Sequence, residues 1–331
     1  MLITRGYTGV VRITEVPMPE LLLPDGVRLH VEVHGPADAP VTVVLTHGWC
    51  QDRHTWQNQV AALRVLGAGR PRVITYDTRG HGRSGATRLG GATLSQLADD
   101  LAEVLRHHAP SGPVVLGGHS MGGMAIMEYA HTHPDAFAER VAGLLFVSTT
   151  AEGHAHTSYG LPARLATLLR AGETVGAGLL ARSGSWRPHR AMQPALRPVV
   201  RWLLFGDECD EASLDLAMRS FGRASLRSIG GFRPAVGAQQ RLDTLAALGD
   251  VPAAVLVGQR DRLTPPACAE SIAGALPFAE LNVLPGAGHM LPLERPREVS
   301  AALTAIVERA TPGRRRAAER EQAATDLREA A

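Results

Sequence analysis

The run Pro113-Val-Val-Leu-Gly-Gly-His-Ser-Met-Gly-Gly-Met124 constrains this chain more than any other stretch. An apolar segment of strand type stops abruptly at Gly118-His119-Ser120-Met121-Gly122, which fits G-x-S-x-G. In that pattern a strand turns so sharply into a helix that the serine oxygen stands exposed, and glycines flank the serine because a Cβ would crowd the strained turn. The following Met124-Ala-Ile-Met-Glu-Tyr-Ala130 has the composition of a buried helix, so strand, turn and helix occur in the required order. In a chain with 35 glycines the pentapeptide alone says little. Its setting makes Ser120 the candidate nucleophile.

The same strand-and-helix rhythm extends both ways. Val27–Val33 alternates as an edge strand does, and Val41–Thr46 is more continuously apolar, as in a strand covered on both faces. A helix over Trp56–Leu66, a strand over Arg72–Asp77, a helix over Leu94–His107 and a strand over Val141–Val147 continue it. Such alternation predicts a mainly parallel sheet with helices on both sides. From Ala151 to about Gln240 no buried strand is evident, while Leu161–Leu169, Met192–Phe205 and Ala212–Phe221 read as helices, so this part is expected to be a helical insertion. The rhythm resumes with Val251–Val257, Leu281–Leu284 and a helix over Pro296–Ala310. The expected division is therefore a core over 1–150 and 241–311, a cap over 151–240, and a charged tail over 312–331.

Composition narrows the partners. At 331 residues a large core can be buried, and the net charge of +2 gives no reason to expect nucleic acid. All 34 cationic side chains are arginine. Cys50, Cys209 and Cys268 are odd in number and far apart, which suggests a reducing compartment. The N-terminal residues have neither a long apolar region nor a small-residue cleavage site, and no apolar run reaches membrane-spanning length. A cytoplasmic protein is expected.

A serine hydroxyl attacks only when a base takes its proton. Of 14 histidines one follows His189: His289, in Gly286-Ala-Gly-His-Met290 directly after the last expected strand. The carboxylate that orients such a base is expected at Asp261, in the loop after the preceding strand, with Glu152 as the rival position. The order Ser, Asp, His follows. Negative charge on an attacked carbonyl needs two backbone donors. Met121 N–H, at the helix start, and Trp49 N–H, in the loop after Val41–Thr46, are the candidates. His47 and Gly48 shape that loop.

Taken together, His47-Gly48-Trp49, Asp77-Thr-Arg-Gly-His-Gly-Arg-Ser84, Gly118-His-Ser-Met-Gly122, Asp261 and Gly288-His289 resemble the α/β-hydrolase superfamily, in its serine branch with a helical cap. The resemblance runs from about Leu21 to Ala310 and implies a mostly parallel eight-stranded sheet with helices on both faces. Serine at the elbow argues against epoxide hydrolase and haloalkane dehalogenase activity, where related layouts carry aspartate. It implies hydrolysis of a carboxylic ester, thioester or lactone, without a cofactor. The alternatives are carbon–carbon bond hydrolysis, cofactor-free perhydrolase or haloperoxidase chemistry, and a small-ligand receptor on the same fold. His47, Gly48, His119, Leu165 and Trp202 are candidate pocket residues for a hydrophobic acyl substrate. Gly80–Gly85 matches G-x-G-x-x-G, but no helix opens there, so a structural loop is expected rather than a dinucleotide site. The pairs His131/His133 and His154/His156 lack the spacing and companions of a zinc site.

Overall fold

The computed structural model describes residues 20–311, apart from 68, 158 and 188–192; the charged tail lies outside the described residues. The chain runs β1 (Leu21–Leu22), β2 (Arg28–Leu29), β3 (Val31–His34), β4 (Thr42–Thr46), α1 (Gln57–Arg64), β5 (Arg72–Tyr76), α2 (Leu94–His108), β6 (Val114–His119), α3 (Met121–Thr132), α4 (Pro134–Arg140) and β7 (Val141–Val147). Helices α5 (Ala163–Arg182), α6 (Gln193–Leu204), α7 (Glu211–Phe221), α8 (Leu226–Gly237) and α9 (Leu242–Ala246) follow. Then come β8 (Ala253–Gly258), α10 (Pro266–Ala275), β9 (Ala279–Leu284), α11 (Leu291–Glu294) and α12 (Pro296–Ala310).

Seven strands, rather than eight, form the described sheet, in the order β3-β5-β4-β6-β7-β8-β9. Only the β3–β5 pairing is antiparallel. β1 and β2 pair separately. The expected single strand over Val27–Val33 is broken at His30, whose N–H is taken by the Ser84 hydroxyl at 2.9 Å.

Side-chain alternation along the strands divides the core. Val44 of β4, Leu116 of β6 and Val255 of β8 pack with α2, α3, α4, α9 and α10 on one face. Their neighbours Val43 and Leu45, Val115, and Leu256 pack with α1 and α12 on the other. Each such fully buried side chain contributes about 1.5–3 kcal/mol. This two-sided burial fixes the register, and with it the height at which each strand releases its loop.

Two helices depart from the sequence expectation. α5 continues to Arg182 past Gly172, Gly176 and Gly178, and α8 forms although it contains Gly230, Gly231 and Pro234. Tertiary packing overrides propensity here: a Cβ at Gly230 would come within 2.2 Å of the Ala177 carbonyl, so glycine lets α8 lie directly on α5. Ser225 caps α8 by accepting the Ser228 N–H.

Candidate active site

β6 ends in the sharp turn that the sequence requires. Ser120 has φ 52° and ψ −120°, a strained conformation for a residue with a Cβ. It is held there from outside: its N–H donates to the Val147 carbonyl at 3.0 Å, and its carbonyl accepts from the Thr149 hydroxyl at 2.7 Å. The flanks cannot carry side chains, because a Cβ on Gly118 would lie 2.4 Å from the Gly123 nitrogen and one on Gly122 2.2 Å from the Thr46 carbonyl.

Asp261 and His289 leave the adjacent strand ends, after β8 and β9, and meet. His289 Nδ1 lies 2.8 Å from Asp261 Oδ2, with both side chains buried. The carboxylate also accepts from the Leu263 and Thr264 amides at 2.9 and 2.8 Å and from the Thr264 hydroxyl at 2.9 Å. Burial alone would push the Asp261 carboxyl up. His289 and the Thr264 hydrogen bonds outweigh that and hold it below the usual carboxylate range. The rival Glu152 instead faces His156, at 3.1 Å.

The loop carrying His289 is braced by a residue that sequence reasoning passed over. Glu294 accepts from Gly206 and Gly288 N–H through Oε2, at 2.8 and 2.9 Å, and from Met290 N–H through Oε1 at 3.0 Å. His289 N–H itself donates to the Leu204 carbonyl at 2.8 Å. Burial raises the Glu294 carboxyl, and the three amides only partly offset this.

The loop after β4 is fixed by two buried imidazoles. His47 Nδ1 donates to the Gly48 carbonyl at 2.8 Å and its Nε2 accepts from Thr78 N–H at 2.9 Å. His81 Nε2 accepts from Cys50 N–H at 3.2 Å, and Gln51 N–H donates to the Gly48 carbonyl at 3.1 Å. These bonds use the amides on either side of the turn, while those of Trp49 and Met121 have no partner among the described residues. Gly48 packs against the elbow: a Cβ there would stand 3.1 Å from Ser120 Cβ and 2.8 Å from His119 Nδ1. Burial pushes the Cys50 thiol far up, which keeps it protonated.

Trp49, His119, Ser120, Met121 and His289 line one cavity of about 290 Å³. His119 donates from Nε2 to the His289 carbonyl at 2.9 Å, and burial, then the neighbouring His289, pushes it down to about 3. Much of the lining is apolar, with Met124, Val200, Leu203, Phe221 and Val236. A polar cluster in the same lining was not foreseen: Arg233 donates to Glu173 and to the Tyr159 hydroxyl, and its Nη1 meets His154. The glycines and proline of α8 hid Arg233, although Leu226, Ile229, Phe232 and Val236 carry a helical period.

Of the expected pocket residues, His119 lines this cavity and Gly48 abuts its floor. His47 is wholly buried behind it. Leu165 and Trp202 lie outside it, both exposed, and Arg262 rests over the Trp202 ring at 5.1 Å. The Gly80–Gly85 loop spends its amides on the protein: Asp77 accepts from Arg83 N–H, and Arg79 forks onto Asp100 at 2.5 and 2.6 Å. His131 and His133 turn to Thr244 and Asp99, and His154 and His156 to Arg233 and Glu152.

Comparison with known proteins agrees with this architecture. The family model described as "Alpha/beta hydrolase family" matches residues 43–302. A relative from Variovorax paradoxus, named "Putative carbamate hydrolase RutD", is 33% identical over 265 residues, covering 79% of this chain and 89% of the relative. The solved thermophilic esterase of Thermogutta terrifontis superposes with a TM-score of 0.68 at 26% identity, over 88% of this chain and 98% of that one. The enol-lactonase of Burkholderia xenovorans, at 24% identity, shares the fold with a TM-score of 0.68 over 86% of this chain and 97% of its own. A strained serine between β6 and α3, a seven-stranded mostly parallel sheet and a family match spanning most of the sequence lead to one assignment: the chain belongs to the alpha/beta hydrolase family.

Proposed function

We propose that this hydrolase cleaves a carboxylic ester, thioester or lactone through an acyl-enzyme on Ser120. The observation that carries the reading is that one largely apolar cavity is lined both by the elbow serine and by a histidine whose Nδ1 is held 2.8 Å from a buried carboxylate. His289 takes the Ser120 proton as the oxygen attacks the carbonyl carbon, and Asp261 fixes the tautomer and stabilises the imidazolium. The carbonyl oxygen, now negative, is received by the N–H groups of Trp49 and Met121. Collapse of this adduct breaks the carbon–oxygen or carbon–sulfur bond, and His289 returns the proton to the leaving group. Water then attacks the acyl-enzyme by the same route and releases the acid.

The likeness to the protein named RutD favours a second substrate class, carbamates, whose carbonyl the same groups would attack. The mostly apolar lining of the cavity suits a hydrophobic acyl chain better than a small polar carbamate. Helices α5–α8 act in this reading as a cap over residues 151–240, since each supplies residues to the cavity's lining. No helix among the described residues is long and apolar enough to cross a membrane, and three unpaired cysteines suit a cytoplasmic enzyme.

Intact-mass analysis after a fluorophosphonate probe tests the assignment. Wild type should gain one adduct, and Ser120→Ala and His289→Ala none. Equal labelling of Ser120→Ala would overturn it.

A further inference from the structure

The segment 161–204 holds seven arginines and a single acid, Glu173. Glu173 is turned inward to Arg233, and Arg197 is neutralised by Glu211 and Asp215 of α7. Arg164, Arg182, Arg187 and Arg201 have no ion pair among the described residues.

On α5, Arg164 and Arg182 flank by helical period an apolar face that is exposed. Leu165, Leu168, Val175 and Leu179 follow one side of α5 at helical spacing, while Ala166 and Ala177 are buried on the other. These four, with Trp186 beyond the helix, are between 53% and 78% exposed. On α6, Val199 and Trp202 are also exposed, three residues apart. Val199 at the same time lines the catalytic cavity, so the cavity wall reaches the protein surface at α6.

We propose that the outer face of α5 and α6 docks on an anionic lipid surface. Charge selects the occupant. A second copy would bring the same arginines against themselves. Residues 1–19 carry Arg5 and Arg12 against Glu15, and 312–331 carry five arginines against four acids, so neither end supplies the negative charge this face lacks. Leucine, valine and tryptophan suit insertion between headgroups and acyl chains, with arginine pairing to the phosphates; nucleic acid has no use for such a face. Docking would place the cavity mouth at the source of an apolar substrate.

Vesicle flotation tests this without depending on catalysis, and Ser120→Ala should behave as wild type. The full chain should float with phosphatidylcholine vesicles containing phosphatidylglycerol and not with phosphatidylcholine alone, with the association lost in high salt. Arg164→Gln/Arg182→Gln should weaken partitioning on the order of 30-fold, from about 1 kcal/mol per arginine. The two corresponding lysine substitutions should retain binding, and Leu168→Gln/Val175→Gln/Leu179→Gln should lose it. Unchanged thermal midpoints identify the variants as folded. Three results would overturn the proposal: equal binding to neutral vesicles; a concentration-dependent dimer that the glutamine variants dissolve; or retention by DNA without vesicle binding.

Discussion

Asp261 carries four hydrogen bonds while wholly buried, and three come from its own loop. Asparagine would fit the space but would present an amide N–H where an acceptor is needed, to His289 or to a backbone N–H. Asp261→Asn should therefore keep its fold and lose on the order of 10⁴ in turnover of an activated ester, the scale seen when a triad histidine is left in the wrong tautomer. Near-normal turnover, with loss instead in Glu152→Gln, would move the acid role to Glu152. Gly122 makes a packing argument at the same scale. A Cβ there meets the Thr46 carbonyl, which β4 cannot withdraw without breaking its ladder, so Gly122→Ala should cost about 1–3 kcal/mol in denaturant unfolding. The positions of Ser120, Asp261 and His289 after β6, β8 and β9 are legible in sequence because each follows an apolar run and stands among glycines or turn residues. Leu165 and Trp202 were misplaced for the converse reason. Helical period reveals a stripe but not which neighbour, cavity or solvent, it faces.

Helices contribute to the site mostly through their ends. α11 is only four residues long, yet its Glu294 gathers amides from the His289 loop and from Gly206 beyond α6. Glu294→Gln keeps one acceptor oxygen and turns an NH₂ toward an amide it formerly accepted, at about 1–3 kcal/mol for an unsatisfied buried donor. The strain falls on the His289 backbone rather than on the apolar cavity walls. kcat should fall about tenfold while KM stays within about twofold, in keeping with a group that positions the base and does not bind substrate. A rise in KM at constant kcat would show that Glu294 shapes the cavity instead. Nothing in the sequence marks this glutamate, because its partners come from two loops 82 residues apart, at 206 and 288. The central strands β4 to β8 were readable because they are buried on both faces, whereas α8 was not: contact with α5, rather than its own composition, makes it helical.

Across the whole molecule, the imidazoles that shape the site also set its tolerance of acid. His47, His81 and His119 are at most 1% exposed, and burial lowers all three, His81 and His119 to about 3. Each is used as a neutral ring: His47 and His81 accept backbone N–H groups at Nε2, which a protonated ring could not do. In the unfolded chain they titrate near 6.5. The unfolded state therefore binds more protons than the folded state below that pH, so their contribution is complete above about 6.5 and is lost as pH falls. Near pH 5 His81 and His119 should each take up close to one proton on unfolding, a slope of about 3 kcal/mol per pH unit, and His47 adds to it in the same direction. The depressed carboxylate of Asp261 plays no part in that window, since its contribution persists until the pH drops below its unfolded value of about 3.9. From pH 6.5 to 4.5 the His81 and His119 rings would remove about 5 kcal/mol, half of a folded state of about 10 kcal/mol. Denaturant midpoints at pH 7, 6 and 5, with calorimetric proton uptake, measure the slope directly. His81→Gln should remove about one proton from the uptake while lowering stability at pH 7, because the Cys50 amide loses its acceptor. A slope that stays flat between pH 6.5 and 4.5 would mean that these rings accept protons without unfolding the loops they support.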